Sequence, residues 1–271
     1  MTEQNVVDIT PVPITIKRIV DDLHQLGLEA GQTVLVHSSM SKIGWVSGGA
    51  QAVIMALMEV LGDDGTLMMP THTSQNTDPA NWSAPPVPQS WWQVIRENRP
   101  AYDPSLTPTR EMGVISETFR KMTGVKRSNH PIGSFAAIGK HADFLIENHD
   151  SLEQMFGDAS PIGKLYDCDG HILLLGVRHS NNTSLHLAEY RADFPSKSNI
   201  KEGVAMLVDG QRQWVDFEML SLETDDFDTI GSAYHAQHGY TSGKVGLADS
   251  LFMRQRPIVD FATKWMTTNR T

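Results

Sequence analysis

The segment Asn181-Asn182-Thr183-Ser184-Leu185-His186-Leu187-Ala188-Glu189-Tyr190 carries the residue pair best suited to moving a proton. If Thr183 caps a helix, His186 and Glu189 stand at i and i+3 on one face. A carboxylate at that spacing can fix the imidazole tautomer and stabilise its protonated form, which suits a general base near neutral pH. Spacing alone is met as well by a helix-surface ion pair or a capping interaction, the commoner case. The segment directly follows the apolar run Ile172-Leu173-Leu174-Leu175-Gly176-Val177. The pair is therefore expected at the carboxyl end of a buried strand, where α/β sheets place ligands.

A second segment, Val36-His37-Ser38-Ser39-Met40-Ser41-Lys42-Ile43-Gly44-Trp45-Val46-Ser47-Gly48-Gly49, sets hydroxyls and backbone N–H groups between a strand and a helix start. Such a loop can hold an anion such as a pyrophosphate. It matches neither the P-loop nor the Gly-x-Gly-x-x-Gly pattern, so by itself it is only a polar glycine loop. His235, His238 and the isolated His72, His130 and His179 could suggest a metal. No His-Glu-x-x-His or cysteine pair accompanies them, and no metal is expected. Cys168 stands between Asp167 and Asp169, and carboxylates raise a thiol pKa, so it makes a poor nucleophile. The acidic cluster Glu223, Asp225, Asp226 and Asp228 reads as a solvated turn or as a landing site for an oligocation.

The elements that must position these residues follow from periodicity. Thr15 can cap a helix with Ile16, Ile19, Val20, Leu23 and Leu26 on its apolar face, ended by Gly27. Thr33–His37 reads as a strand, residues 53–61 as a helix, and Thr66–Met69 as a strand stopped by Pro70. Thr109 is expected to cap a helix through Met112, Ile115 and Phe119. A strand is expected over 134–139, a helix over 143–146, and a strand buried on both faces over 172–177. Residues 204–208 and 213–217, joined around Asp209-Gly210, predict a hairpin. A last helix is expected over about 248–265. Residues 71–108 form a long irregular insertion, rich in proline and holding Trp82, Trp91 and Trp92; it reads as a functional excursion or as a lid packed for stability. The pattern predicts an α/β fold, a mixed central sheet flanked by helices with an antiparallel hairpin addition, in one domain over 1–271.

Composition narrows the function. Among 271 residues, Lys and Arg number 22 against 32 Asp and Glu, a net charge of −10. That balance argues against a nucleic-acid binder and suits a cationic small molecule. One cysteine allows no internal disulfide, and the amino terminus lacks the basic and apolar regions of a secretory signal. No apolar run approaches the roughly 20 residues of a membrane span. A cytoplasmic protein is expected, with no membrane partner; its oligomeric state stays open, a homodimer included.

At these same residues the sequence resembles the aminoglycoside 3-N-acetyltransferase family, which is unrelated in fold to the common N-acetyltransferase superfamily. The matching stretches run in order along nearly the whole chain. They are His37-Ser38-Ser39-Met40-Ser41 with Gly44 and Gly48-Gly49; Thr107-Pro108-Thr109-Arg110-Glu111-Met112-Gly113; and Arg127-Ser128-Asn129-His130-Pro131. Further on come Ser134-Phe135-Ala136-Ala137-Ile138-Gly139, Ser160-Pro161-Ile162-Gly163 and Asn182 to Glu189.

The resemblance implies acetyl-CoA as donor and the 3-amino group of a 2-deoxystreptamine aminoglycoside as acceptor. It implies His186 as the catalytic histidine and Glu189 as its acidic neighbour, which displaces the plain ion-pair reading. For the coenzyme it points to His37, Ser38, Ser39, Met40, Thr71, Ser105, Leu106, Thr107 and Thr109. Trp82, Asp225, Asp226 and Glu189 are the candidates for holding the acceptor. The alternatives are acetylation of a different amine metabolite or an aminophosphonate nucleotide, hydrolysis of an acyl-CoA thioester, and a coenzyme-A-binding module without turnover.

Overall fold

The computed structural model describes residues 2–271. Seven strands form one mixed sheet: β1 (Thr33–Ser38), β2 (Thr66–Pro70), β3 (Lys126–Arg127), β4 (Phe135–Gly139), β5 (His171–Leu175), β8 (Thr241–Val245) and β9 (Ala248–Arg254). Their order across the sheet is β3-β4-β2-β1-β5-β9-β8. β2, β1 and β5 are parallel and central, while β4 pairs antiparallel with β2, and β9 antiparallel with β5. Between β5 and β8, β6 (Asn199–Val208) and β7 (Gln211–Leu220) make a separate two-stranded sheet.

The central strands read as continuous apolar runs because both their faces are covered. Leu35, Ile172 and Leu174 pack into one hydrophobic layer. Their neighbours Val34, Val36, Leu173 and Leu175 pack into the other. Each fully buried side chain of this size contributes about 1.5–3 kcal/mol. The helix Ile16–Leu26 forms as its spacing predicts, capped by Thr15 and closed by Gly27 at φ 104°. The helix Gly49–Leu61 lies after β1 and lines the second layer. The hairpin turn also forms at Asp209-Gly210, whose φ values of 51° and 76° are those of a two-residue turn with both centres left-handed.

Three expectations are corrected. The hairpin is longer than predicted, ten residues in each strand. Residues 248–254 are strand β9 rather than helix, and the helix runs over Gln255–Asn269. Pro257 explains the shift: without an N–H it fits the first helical turn but would break the interior of a helix begun at 248. The helix expected from Thr109 starts at Gly113. Thr109 does not cap it, because its amide and hydroxyl both donate to Glu117, at 3.0 and 2.8 Å. Strand β8 and the helices Glu3–Ile9 and Phe227–His238 were not predicted.

The insertion is ordered. It contains short helical turns and the helix Trp92–Asn98, and it is pinned to the hairpin. The Tyr102 amide donates to the Ala205 carbonyl at 2.9 Å, Arg212 donates to the Arg99 carbonyl at 3.0 Å, and Glu202 accepts from Asn81 at 3.1 Å. Among the described residues no helix is long and apolar enough to cross a membrane.

Candidate active site

Because β1, β2 and β5 are parallel, the loops that follow them leave the same edge of the sheet. β4 runs the other way, and its register of Phe135 against Pro70 brings its beginning to that edge as well. After β5, Gly176 turns the chain at φ 72°. A Cβ there would stand 2.7 Å from the Lys42 side chain, so only glycine permits this close approach. The helix Ser184–Arg191 then begins. Its start is held by Asn182, whose carboxamide oxygen accepts from the Ser184 amide at 3.2 Å, while Thr183 makes no side-chain capping bond.

His186 and Glu189 do face each other on this helix, with Nδ1 of the ring hydrogen-bonded to Oε2 of the carboxylate. They are not a surface ion pair: the side chains are 11% and 0% exposed. The imidazole stacks on Phe156, with centroids 5.2 Å apart and planes at 12°, and meets Phe227 at 5.0 Å. A neutral imidazole bonded to a carboxylate through Nδ1 donates there, which leaves the lone pair on Nε2. Glu189 Oε1 accepts from the Glu223 amide at 3.0 Å and from Arg270 Nη1 at 2.6 Å. Arg270 also forks onto Asp226 with two contacts of 2.8 Å, and burial notwithstanding, these two acids raise its pKa. Asp226 is therefore engaged within the protein, whereas Asp225 is exposed.

A cavity of about 70 Å³ is lined by His37, Ser38 and His72 together with Glu111, Ser116 and Thr183. His37 Nε2, Ser38 Oγ and His72 Nε2 are buried without a hydrogen-bond partner. Such atoms are rare in folded proteins and mark a place where a polar ligand could bind. His72 Nδ1 donates to the Ser134 carbonyl at 3.1 Å, so its Nε2 is an acceptor. Burial, reinforced by repulsion from His186, pushes the His37 pKa down to about 3. Burial and the neighbouring His37 and His186 do the same to His72. Phe156 lies 5.2 Å from both the His72 and His186 rings, so one aromatic ring links the dyad to a histidine that lines the cavity.

Two larger cavities lie in a row from it, each sharing a lining residue with the one before. Glu111, held at φ 62°, lines both the histidine cavity and one of about 310 Å³ beside Trp82. Gln75 is common to that cavity and to an apolar one of about 760 Å³ walled by Val94, Ile95, Pro100, Leu106 and Thr107. A fourth, of about 790 Å³ between the insertion and the hairpin, shares no lining residue with the histidine cavity.

The remaining candidates divide between these cavities and the framework. Leu106 is 76% exposed, and Thr107 is tied back to Asp103. Ser105 bonds Asp103, and Thr109 bonds Glu117. Ser39 precedes a short helix and donates its amide to the Leu175 carbonyl, and Met40 packs against the second hydrophobic layer. Thr71 is fully buried with its hydroxyl on Ser134. Trp82 donates to Thr77 at 3.0 Å under the Arg99 guanidinium. Cys168 lies near none of this; it donates to the Leu165 carbonyl, and burial, with Asp167, raises its pKa.

Two residues of consequence carried no assigned role in the sequence. Arg127 donates to the carbonyls of Thr71, Pro104 and Thr107 at 2.6, 3.1 and 2.6 Å, tying the end of β2 to the loop that holds Ser105–Thr107. The Tyr102 ring lies 5.3 Å from its guanidinium. Its place in the stretch Arg127-Ser128-Asn129-His130-Pro131 was the one available signal. Arg270, in a polar tail, gave none.

The family described as aminoglycoside 3-N-acetyltransferase matches residues 35–267. The chain is 45% identical over 267 residues to the SPbeta prophage-derived aminoglycoside N(3')-acetyltransferase-like protein YokD of Bacillus subtilis (strain 168), covering 98% of this chain and 97% of that one. The crystal structure of YokD superimposes with a TM-score of 0.95 at 44% identity over 98% of each chain. Aminoglycoside N(3)-acetyltransferase VII of Streptomyces paromomycinus is 37% identical over 268 residues, 94% of this chain and 92% of the relative. The structure of AAC-VIa bound to sisomicin aligns at 28% identity with a TM-score of 0.86, over 96% of this chain and 100% of that one. AAC-IIIb binary with CoASH aligns at 28% identity with a TM-score of 0.85, over 96% and 98%.

Proposed function

Because the chain belongs to the aminoglycoside 3-N-acetyltransferase family, we propose that it transfers the acetyl group of acetyl-CoA to the 3-amino group of a 2-deoxystreptamine aminoglycoside. Acetylation turns a cationic amine into a neutral amide, and antibiotic resistance is the consequence. The observation that carries this reading is the buried His186–Glu189 pair at the sheet edge, beside a cavity with unpartnered polar atoms.

In the mechanism we infer, both substrates bind together. The coenzyme's pantetheine arm follows the apolar cavity beside Leu106 and Thr107, and His37, Ser38 and Ser39 receive the thioester end. The acceptor enters past Trp82, with Asp225 and Glu111 drawing in its ammonium groups. His186 Nε2 takes a proton from the 3-amino group as its nitrogen attacks the thioester carbon. Glu189 stabilises the imidazolium without itself taking the proton, as an orienting acid does in other triads. The unpaired Ser38 hydroxyl is suited to donate to the tetrahedral oxyanion. Collapse breaks the C–S bond, and the proton held on His186 passes to the departing sulfur. No acetyl-enzyme forms, which agrees with the raised thiol pKa of Cys168. The whole of 1–271 serves as one catalytic domain in this reading, and the expected location is the cytoplasm.

The test is thiol release from acetyl-CoA with and without a panel of aminoglycosides, with product mass determined. Amine-dependent release and a mono-acetylated drug support the proposal. Release at the same rate without amine points to thioester hydrolysis, and coenzyme binding without turnover to a binding module.

A further inference from the structure

We propose that Arg270 is a positioning residue that sets the basicity of His186 by sharing the charge of Glu189 with Asp226. The proposal rests on the reading of His186 as the proton acceptor and adds a residue outside the span matched by the family, which ends at 267.

The geometry is a row of alternating charge. The imidazole of His186 bonds one oxygen of Glu189, and Arg270 Nη1 stands 2.6 Å from the other. The far side of the guanidinium is taken up by Asp226 through two 2.8 Å contacts and by the Glu223 carbonyl at 3.1 Å. Phe194 covers the cation at 5.2 Å, and the Arg270 side chain is 9% exposed. A fully buried carboxylate with a single histidine partner would pull strongly on the proton and hold the imidazole charged. A base that is already protonated cannot accept the amine proton. Arg270 counters that pull and also fixes the carboxylate's rotation, so that Oε2 faces the ring.

The other titratable and charged groups facing His186 do not supply this control. His37, from the end of β1, and His72, after β2, stay neutral down to a pH of about 3. Asp226 is neutralised by Arg270 itself. Lys197 feels the charge of Glu189 but is tied to the Tyr190 and Ala192 carbonyls at 2.9 and 2.6 Å, so Arg270 is the one cation in direct contact with that carboxylate among the described residues.

The experiment follows the His186 imidazole by NMR titration, which needs no substrate, and the pH dependence of turnover in parallel. Arg270→Ala should move the His186 midpoint up by roughly one pH unit. It should lower kcat at pH 7 by up to about tenfold, the most that a one-unit shift can remove from the unprotonated base, while the KM for acetyl-CoA changes less than about twofold. Arg270→Lys, which keeps the charge, should bring the midpoint most of the way back, and added guanidinium ion should do the same for Arg270→Ala. Circular dichroism and a Tm for each variant show that it is folded at the assay temperature. A folded Arg270→Ala protein with an unmoved His186 midpoint overturns the proposal, whatever its rate, since a merely structural arginine gives that result. If the Arg270 variants shift the His186 midpoint as described but the wild type acetylates no aminoglycoside, the function reading fails and the role of Arg270 stands.

Discussion

Lowering the pH from 7 to 5 attacks histidines that the fold holds uncharged, among them His72 and four that are more deeply buried. His37, His130, His149 and His179 are each no more than 5% exposed. Burial pushes their pKa values down to about 3 for His37 and His130 and about 4 for His149 and His179. Burial is the main cause; at His130 it is reinforced because Nδ1 accepts from the Ile132 and Gly133 amides, whereas the Met155 carbonyl bonded to His149 Nε2 works the other way and is outweighed. In the unfolded chain each titrates near its ordinary value of about 6.5. Between that value and the folded pKa the unfolded state binds more protons, so stability falls as pH falls; it is complete above about 6.5. Each histidine then gives up about 2 kcal/mol between pH 7 and 5, and the four together about 7 kcal/mol. That is comparable with the whole stability of an ordinary domain, about 5–15 kcal/mol. Urea unfolding followed by tryptophan fluorescence at pH 7, 6 and 5 measures it, and the midpoint should fall steeply at unchanged slope. A midpoint equal at pH 7 and 5, with loss confined to below about pH 4 where carboxylates protonate, would refute the reasoning.

His186→Ala should lower kcat by about two to four orders of magnitude, with coenzyme affinity unchanged by calorimetry, because in the proposed mechanism the residue acts on the acceptor amine. Arg127→Lys keeps the charge but cannot reach three carbonyls at once, so the KM for acetyl-CoA should rise severalfold while kcat falls less; equal losses in both would count against a role in shaping the coenzyme loop. Cys168→Ser should retain most activity, and mass spectrometry of the wild type incubated with acetyl-CoA alone should find no acetyl group on Cys168.

The strand ends and the dyad were legible because their signals are local. Val34 to Val36 and Ile172 to Leu175 are apolar runs that a doubly covered strand explains, and His186 and Glu189 lie one turn apart. What was not legible depends on partners far along the chain. The spacing of His186 and Glu189 fits a surface pair equally well; what buries it is Phe156, Phe227 and Arg270, none of them adjacent in sequence. Asp226 looked free to meet a cation, and the same arginine occupies it. Strand β9 looked helical since Ala248 to Arg254 contains little β-branched sequence; its identity comes from pairing with β5. Thr71 was a fair candidate by its place after a strand, and its hydroxyl proves to be tied to Ser134 within the Arg127 network.

The pairing of β1 with β5 sets Val34 against His171, more than a hundred positions away, with β2, β4 and the whole insertion between them. The centre of the sheet therefore cannot close until most of the chain is available, and the loop that must be ordered first is long. Until then the strand β1, apolar on both faces, has β2 on one side and an open edge on the other. Such an edge is a template for pairing with another chain. Synthesis of this protein should thus be more sensitive to temperature and chaperone supply than its final stability would suggest. Substitutions that weaken β5 should lower soluble yield before they lower the activity of the molecules that fold.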